Sequence, residues 1–316
     1  MLAEKDLARP LWNSVNSEVH EVDRQRGMDM KRGHYVVDRS LNNNVLVVRT
    51  PDGEEEILIG RGLGFGMRRG NPISPEDPRI EKRFTLANPD NRAKFKQLYT
   101  VVSDEVIGVA EEIIAHATPL LGPLHEHIHV ALPDHIGFAL KRLKGGLEID
   151  NPFLEEIRCL YPEAWGPAAD GAKLLEKRFG IQIPDSEIGF LTLHLQAARE
   201  RGKWSETVRV TEGVRAAVQE MERQLKRPLP RNSLDYVRFV THVRFAVQRV
   251  LTEQPIVNPL VQAIRENLPE SFRRAQAVAA KLERRLHIQL PEDEVAYLAM
   301  HVARFTGERD ASGTPE

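Results

Sequence analysis

The stretch HIGFALKR (135–142) returns as HVRFAVQR (242–249), and SEIGFLTLH (186–194) returns as DEVAYLAMH (293–301). Both recurrences fall at an offset of 107 residues, from 135 to 242 and from 194 to 301, with no gap between them. Between the brackets Asn151-Pro152 falls on Asn258-Pro259, Pro162 on Pro269, Pro184 on Pro291 and Glu187 on Glu294. A long repeat at fixed spacing is one domain used twice. The histidine pairs His135/His194 and His242/His301 are therefore properties of that domain. His135, Phe138, Ala139 and Arg142 stand at i, i+3, i+4 and i+7, which is one face of a helix. Glu187, Phe190, Leu191 and His194 repeat that spacing on a second helix, expected to open after Pro184-Asp185. The second copy supplies His242, Phe245, Ala246 and Arg249, then Glu294, Tyr297, Leu298 and His301. Each histidine lies on or beside an apolar stripe, and the two of a copy are expected to approach one cleft or interface.

The rest of the chain is organised around this duplication. Residues 1–29 show no clear periodicity and receive no function. Residues 34–84 read as short strands: HYVVDRSL, NVLVVRT, EEEILIG and RIEKRF, punctuated by Asn42-Asn43-Asn44, Pro51-Asp52-Gly53 and GRGLGFGMRRG. Asn and Gly tolerate positive φ, so these are hairpin turns. A β domain this small has a marginal core and gains from dimerising. Residues 85–93 read as a polar linker, and a helical pattern begins at Lys94, with YTVVSDEVIGVAEEIIAHA carrying three- and four-residue apolar spacing. RERGKW (199–204) breaks the chain between the helical copies, and the last residues read as frayed. The expected architecture is multidomain: a small all-β head at 30–86, then two homologous all-α helical bundles at 92–200 and 206–308.

Bulk composition narrows the function classes. The 316 residues carry a formal net charge of −2, and the head has ten basic against eight acidic side chains from Lys31 to Arg83. Charge alone does not announce a nucleic-acid partner. The single cysteine, Cys159, excludes an internal disulfide and fits a reducing compartment. No run approaches a membrane span and no signal peptide is evident, so a cytoplasmic protein without membrane insertion is expected.

Three chemistries suit the four histidines. A hydrogen-bonded interface histidine is the plainest. A metal site needs three or four ligands at short spacing, and Cys159 has no cysteine partner, so no metal and no cofactor are expected. A phosphoryl acceptor is the third, because neutral imidazole is nucleophilic near pH 7 and a phosphate placed on an apolar stripe would reorganise an interface. Spacing leaves the first and third both open. His125 and His129 in HEHIH form either a weak metal pair or a polar edge of a helix or loop.

SLNNNVLVV, IGRGLGFGMRRG and RIEKRF resemble the RNA-binding head of BglG-type transcriptional antiterminators. LPDHIGFALKR, NPFLEEIRCLYPEAW and SEIGFLTLHL resemble the first phosphotransferase-system regulation domain of that family, and THVRFAVQRV, NPLVQAI and DEVAYLAMHV the second. HEHIHVALPDHI and the GFG after GRGL point to the glucose branch. The resemblance covers about residues 34–306. It implies a homodimeric head that binds an imperfect leader mRNA hairpin and so blocks an overlapping terminator. It also implies control by phosphorylation of His135, His194, His242 and His301, with the phosphocarrier HPr and a glucose permease as partners, and no enzymatic activity of the chain itself. Matched positions carry RNA contact over to Asn44, Gly60, Arg61 and Phe65, with Arg39 where the family often has a basic residue. Asn can read a base edge, Phe can stack on an unpaired base and Arg can serve phosphate or stacking, while glycine lets backbone approach closely. For Phe65 a core position is the competing reading. Asn42 and Asn43 read as turn formers, and Arg68 and Arg69 as phosphate contacts. Asp134 precedes His135 where Thr241 precedes His242, so Asp134 is expected to orient the first ring and to make the copies unequal. A rival of another class, a metal-binding or protein-interaction helical-repeat module with a β assembly domain, stays open on the residues alone.

Overall fold

The computed structural model describes residues 33–147, 149–200 and 204–307. The extension 1–29 and the final residues from 308 lie outside that range, as does part of the break at 199–204. The described chain forms two compact units, one holding the residues up to Gly146 together with Leu174–Ile181, the other holding Leu147–Lys173 and the residues from Gln182 onward. These units cut across the domain limits read from the sequence, because the head packs with the first helices of the first copy.

In the first unit, strands β1 (Tyr35–Ser40), β2 (Val45–Arg49), β3 (Glu55–Ile59), β4 (Pro72–Ile73) and β5 (Lys82–Thr85) form one antiparallel sheet in the order β4-β1-β2-β3-β5. Asn42 makes the β1–β2 turn, its Oδ1 accepting the backbone N–H groups of Asn44 and Val45 at 2.8 and 3.0 Å. That is the turn chemistry expected of asparagine. Gly53, at φ +83°, turns the chain into β3. β4 was not foreseen: two residues within a Gly/Pro-rich stretch carry no period, and only pairing with Tyr35 and Val36 makes them a strand. One sheet face closes a core of Val37, Leu46, Val48, Leu58, Leu63 and Ile73. Val45 and Val47 alternate onto the other face and are buried as well. The reason is a helix: α2 (Asp104–Leu121) packs against β2 and β3. Each aliphatic side chain so covered contributes about 1.5–3 kcal/mol.

The linker and first helix depart from expectation. α1 (Pro89–Val101) starts inside the stretch read as linker, with Asn88 as its cap accepting the N–H groups of Asp90 and Asn91 and Pro89 in the first turn. The helical pattern read as continuous through 99–117 is broken at Val102-Ser103, where Val102 is extended and Ser103 caps α2. A period of apolar residues does not register a cap that interrupts it. α3 (Ile128–Lys144) completes this unit's main helices.

In the second unit, α4 (Leu154–Leu160), α5 (Pro162–Phe179, whose end belongs to the first unit) and α6 (Asp185–Arg199) precede α7 (Trp204–Leu225), α8 (Leu234–Leu251), α9 (Val261–Asn267), α10 (Pro269–Leu286) and α11 (Glu292–Thr306). The repeat offset of 107 holds to the residue for α4 and α9, α5 and α10, and α6 and α11. Prolines 162, 184, 269 and 291 stand at or just before helix starts, as separators should. Pro119, Pro133 and Pro167 lie inside helices instead, so proline alone does not mark the boundaries. Asn151 and Asn258 do the same work in both copies. Each Oδ1 accepts the N–H two residues on, and each amide reaches the carbonyl of Ser186 or Asp293, one residue before Glu187 or Glu294.

Candidate nucleic-acid interface and phosphoryl-acceptor sites

The glycine-dense loop after β3 is held by the asparagine turn. Asn44 O accepts the Gly60 N–H at 3.0 Å, Asn44 Oδ1 accepts the Gly62 N–H at 3.0 Å, and Asn43 O accepts the Gly64 N–H at 2.9 Å. A side chain at Gly60 would collide with the Arg79 carbonyl oxygen. The close approach that demands glycine there is thus made by the chain's own backbone. The loop presents Arg61 and Phe65 outward. Phe65 is 74% exposed, so the core reading fails for it: a large apolar ring is left in water. Arg68 and Arg69 are also exposed, Arg69 lying 3.2 Å from Asp38.

Arg39 and Asn44 are not open in the same way. Arg39 Nη1 donates to Asp104 Oδ1 at 2.9 Å, and its guanidinium lies 4.1 Å over the Tyr99 ring. Asn44 Nδ2 donates to Glu112 Oε2 at 3.2 Å, and Asn42 Nδ2 donates to Glu112 Oε1 at 2.7 Å. Asn42 is therefore more than a turn former. The acidic partners all come from α2, and nothing in the period of either segment signals the pairing.

HEHIH resolves differently from both of its sequence readings. Residues 125–129 spell His-Glu-x-x-His, which on a continuous helix would set two histidines on one face as zinc ligands. The helix is not continuous there, since α3 begins at Ile128 and His125 lies before it. Glu126 is spent on the backbone N–H groups of Ala87 and Asn88 and the amide of Asn91. His129 is buried, its Nδ1 2.7 Å from Glu111 Oε2 and its ring 4.8 Å from Phe84 of β5. It is an interior hydrogen-bond partner of Glu111 and not a polar edge. Among the described residues no cluster of three or more His, Cys, Asp or Glu is placed to hold a metal.

The four bracketing histidines occupy α3, α6, α8 and α11. His135 is half-buried on α3, and Arg142 lies over the exposed Phe138 ring at 5.1 Å. Asp134 is exposed, and consecutive helical positions point about 100° apart. The helix therefore does not aim Asp134 at the His135 ring. His194 stacks on Trp204, centroids 4.3 Å apart and planes at 22°.

In the second copy His242 and His301 come together, with ring centroids 4.9 Å apart. Glu294, 1% exposed, takes a fork from Arg249 at 2.6 and 2.8 Å and lies 3.6 Å from His242 Nε2. Burial, then the Arg249 charge, drives the His242 ring down to about 4. Burial, then the neighbouring His242, does the same for His301, also to about 4. Both imidazoles are neutral at pH 7, and a neutral ring nitrogen keeps the lone pair that a phosphoryl group needs.

Known proteins resemble this chain across these same features. The CAT RNA binding domain family matches residues 35–93, and the PRD domain family matches twice, at 111–198 and 215–305. Transcription antiterminator LicT of Bacillus subtilis is 31% identical over 272 residues, spanning 85% of this chain and 98% of LicT. Protein GlcT of Staphylococcus aureus is 30% identical over 276 residues, spanning 86% of this chain and 97% of GlcT. A crystal structure of GlcT CAT-PRDI matches 52% of the chain at 36% identity, with a TM-score of 0.45.

Proposed function

We infer the function from one premise: the chain belongs to the BglG-type family of transcriptional antiterminators, a CAT RNA-binding domain followed by two PRD domains, and stands close to GlcT. It is an RNA-binding antiterminator regulated by phosphorylation from the sugar phosphotransferase system. Its relatives are regulators of transcription. No helix among the described residues is long and apolar enough to cross a membrane.

The finer reading is as follows. The head, at about 30–86, binds an imperfect hairpin in a messenger leader as a homodimer and prevents an overlapping terminator from forming. Arg39, Asn44, Gly60, Arg61 and Phe65 form its RNA surface, with Phe65 stacking on an unpaired base and Arg61 on phosphate. The two regulation domains, at about 92–200 and 206–308, receive phosphate on His135, His194, His242 and His301. The donors are HPr and a glucose permease, and the protein works in the cytoplasm. The observation that carries this reading is an exposed aromatic and arginine on a glycine loop, joined in one chain to a twice-used histidine domain. The neutral, half-buried imidazoles of the second copy support their role as acceptors.

The test is phosphorylation of the full chain with HPr and the glucose permease, read by mass spectrometry that avoids acid, since phosphohistidine is acid-labile. Phosphate on the four named histidines is expected, and phosphate confined to other residues refutes the assignment. In cells, His135→Ala with His194→Ala should give terminator readthrough without glucose; normal repression there would count against the switch.

A further inference from the structure

The head's Arg39, Asn42 and Asn44 are held by one helix of the same chain, and the groups that hold them imitate RNA. We propose that α2 is a built-in competitor for RNA: binding of RNA to these side chains and docking of Asp104 and Glu112 on them exclude each other. The proposal rests on the reading of the head as an RNA-binding surface and adds a regulatory device to it.

The chemistry of the contact is specific. Asp104 puts a carboxylate oxygen 2.9 Å from Arg39 Nη1, where a phosphate oxygen would sit. Tyr99, on the preceding α1, has its ring centroid 4.1 Å from the Arg39 guanidinium carbon, a cation–π contact in the place a base could take. The two oxygens of Glu112 take the amide donors of Asn44 and Asn42, which would otherwise meet acceptors on a base edge or backbone. An N–H that donates to Asp104 or Glu112 is withheld from RNA, so the occupants compete for it. The negative charge of α2 also opposes a polyanion laid on the same surface.

Two further observations fit a contact built to open and close. Arg178 also reaches Glu112, at 3.4 Å, and Glu105, at 3.8 Å. The Glu112 carboxylate therefore keeps a cationic partner when the asparagines leave, which lowers the cost of release. Gly108 lets α2 close on the turn, because a side chain there would collide with the Asn42 amide. By contrast, the exposed Arg61 and Phe65 lie on the glycine loop, outside this set of bonds. RNA can make its first contacts there before displacing the helix.

The experiment uses the full chain and a fluorescein-labelled imperfect RNA hairpin selected in vitro on that chain. Dissociation constants are compared for the wild type, Asp104→Asn, Glu112→Ala, Gly108→Ala, Arg61→Ala and Phe65→Ala, each checked for folding by circular dichroism. Asp104→Asn, Glu112→Ala and Gly108→Ala should each tighten binding, by about fivefold or more if the coupling is of ordinary allosteric size. If Glu112→Ala does not fold, Asp104→Asn and Gly108→Ala carry the comparison. Hydrogen exchange on the wild type should show α2 amides exchanging faster at saturating RNA. Unchanged or weaker binding in the α2 variants, or unchanged α2 exchange, overturns the proposal. Unchanged binding in Arg61→Ala and Phe65→Ala instead overturns the RNA-surface reading itself, so the two failures are distinct.

Discussion

The two copies of the regulation domain share a frame, and one histidine meets a residue from outside it. In the first copy Arg158 bonds Asp185 at 2.8 Å and lies 4.4 Å over Trp165; in the second, Arg265 bonds Glu292 and lies 5.0 Å over Phe272. Every one of these residues is displaced by 107, and so are the Asn151 and Asn258 turns. Ring contacts of the histidines are seen in both copies. His194 stacks on Trp204, outside the repeated window, while His242 faces His301 beside the Glu294–Arg249 fork. Duplication thus preserved what places the helices, while one histidine also meets a residue from outside the repeat.

The largest effect should come from the Arg249–Glu294 fork. Arg249→Ala leaves the Glu294 carboxylate buried without its cation, a loss of about 3–5 kcal/mol when such a pair is broken from one side. Urea denaturation measures it, and Arg142→Ala, at the matched position, tests whether the first copy carries the same element. Next comes pH. Unfolded imidazole titrates near 6.5, whereas the folded His242 and His301 rings are held at about 4. The unfolded chain therefore takes up protons first, so this contribution is complete above about pH 6.5 and is lost as pH falls toward 4. His242 alone should cost about 2 kcal/mol of stability between pH 7 and pH 5. A urea midpoint whose pH slope is unchanged in His242→Gln with His301→Gln would show that these two rings do not carry it.

Smaller effects test what the copies share. Asn151→Ala and Asn258→Ala should each cost about 1–2 kcal/mol through a lost turn bond and a lost bond to the carbonyl of Ser186 or Asp293. A loss in only one copy would show that the frame is not equivalent. Arg158→Ala and Arg265→Ala should each cost under about 1 kcal/mol, since both bridges are solvent-accessible. Matched thermal melts would read the pair, and a severalfold disparity would break the symmetry.

Much of this was legible in the chain because its signals are local or repeat. The turn asparagines, the strands around them and the helix starts after Pro184 and Pro291 follow from side-chain chemistry within a few residues. Cap positions were harder: Ser103 divides α1 from α2 although the apolar period runs through it. His129 was misread because its partner, Glu111, lies on another helix. The expected role of Asp134 gives way to helix geometry, which turns neighbouring residues apart.

The sequence by itself determined the duplication, the β head before it, and the residue types offered to RNA and phosphate. These depend on spacing, and spacing survives as a linear pattern. Tertiary structure alone decided which of those groups are engaged. Asn42 and Asn44 meet Glu112 across 70 and 68 residues of chain, and Arg39 meets Asp104 across 65. A hydrogen bond at that separation leaves no period in the sequence, because it is fixed by packing α2 on the sheet and not by either segment's own preference.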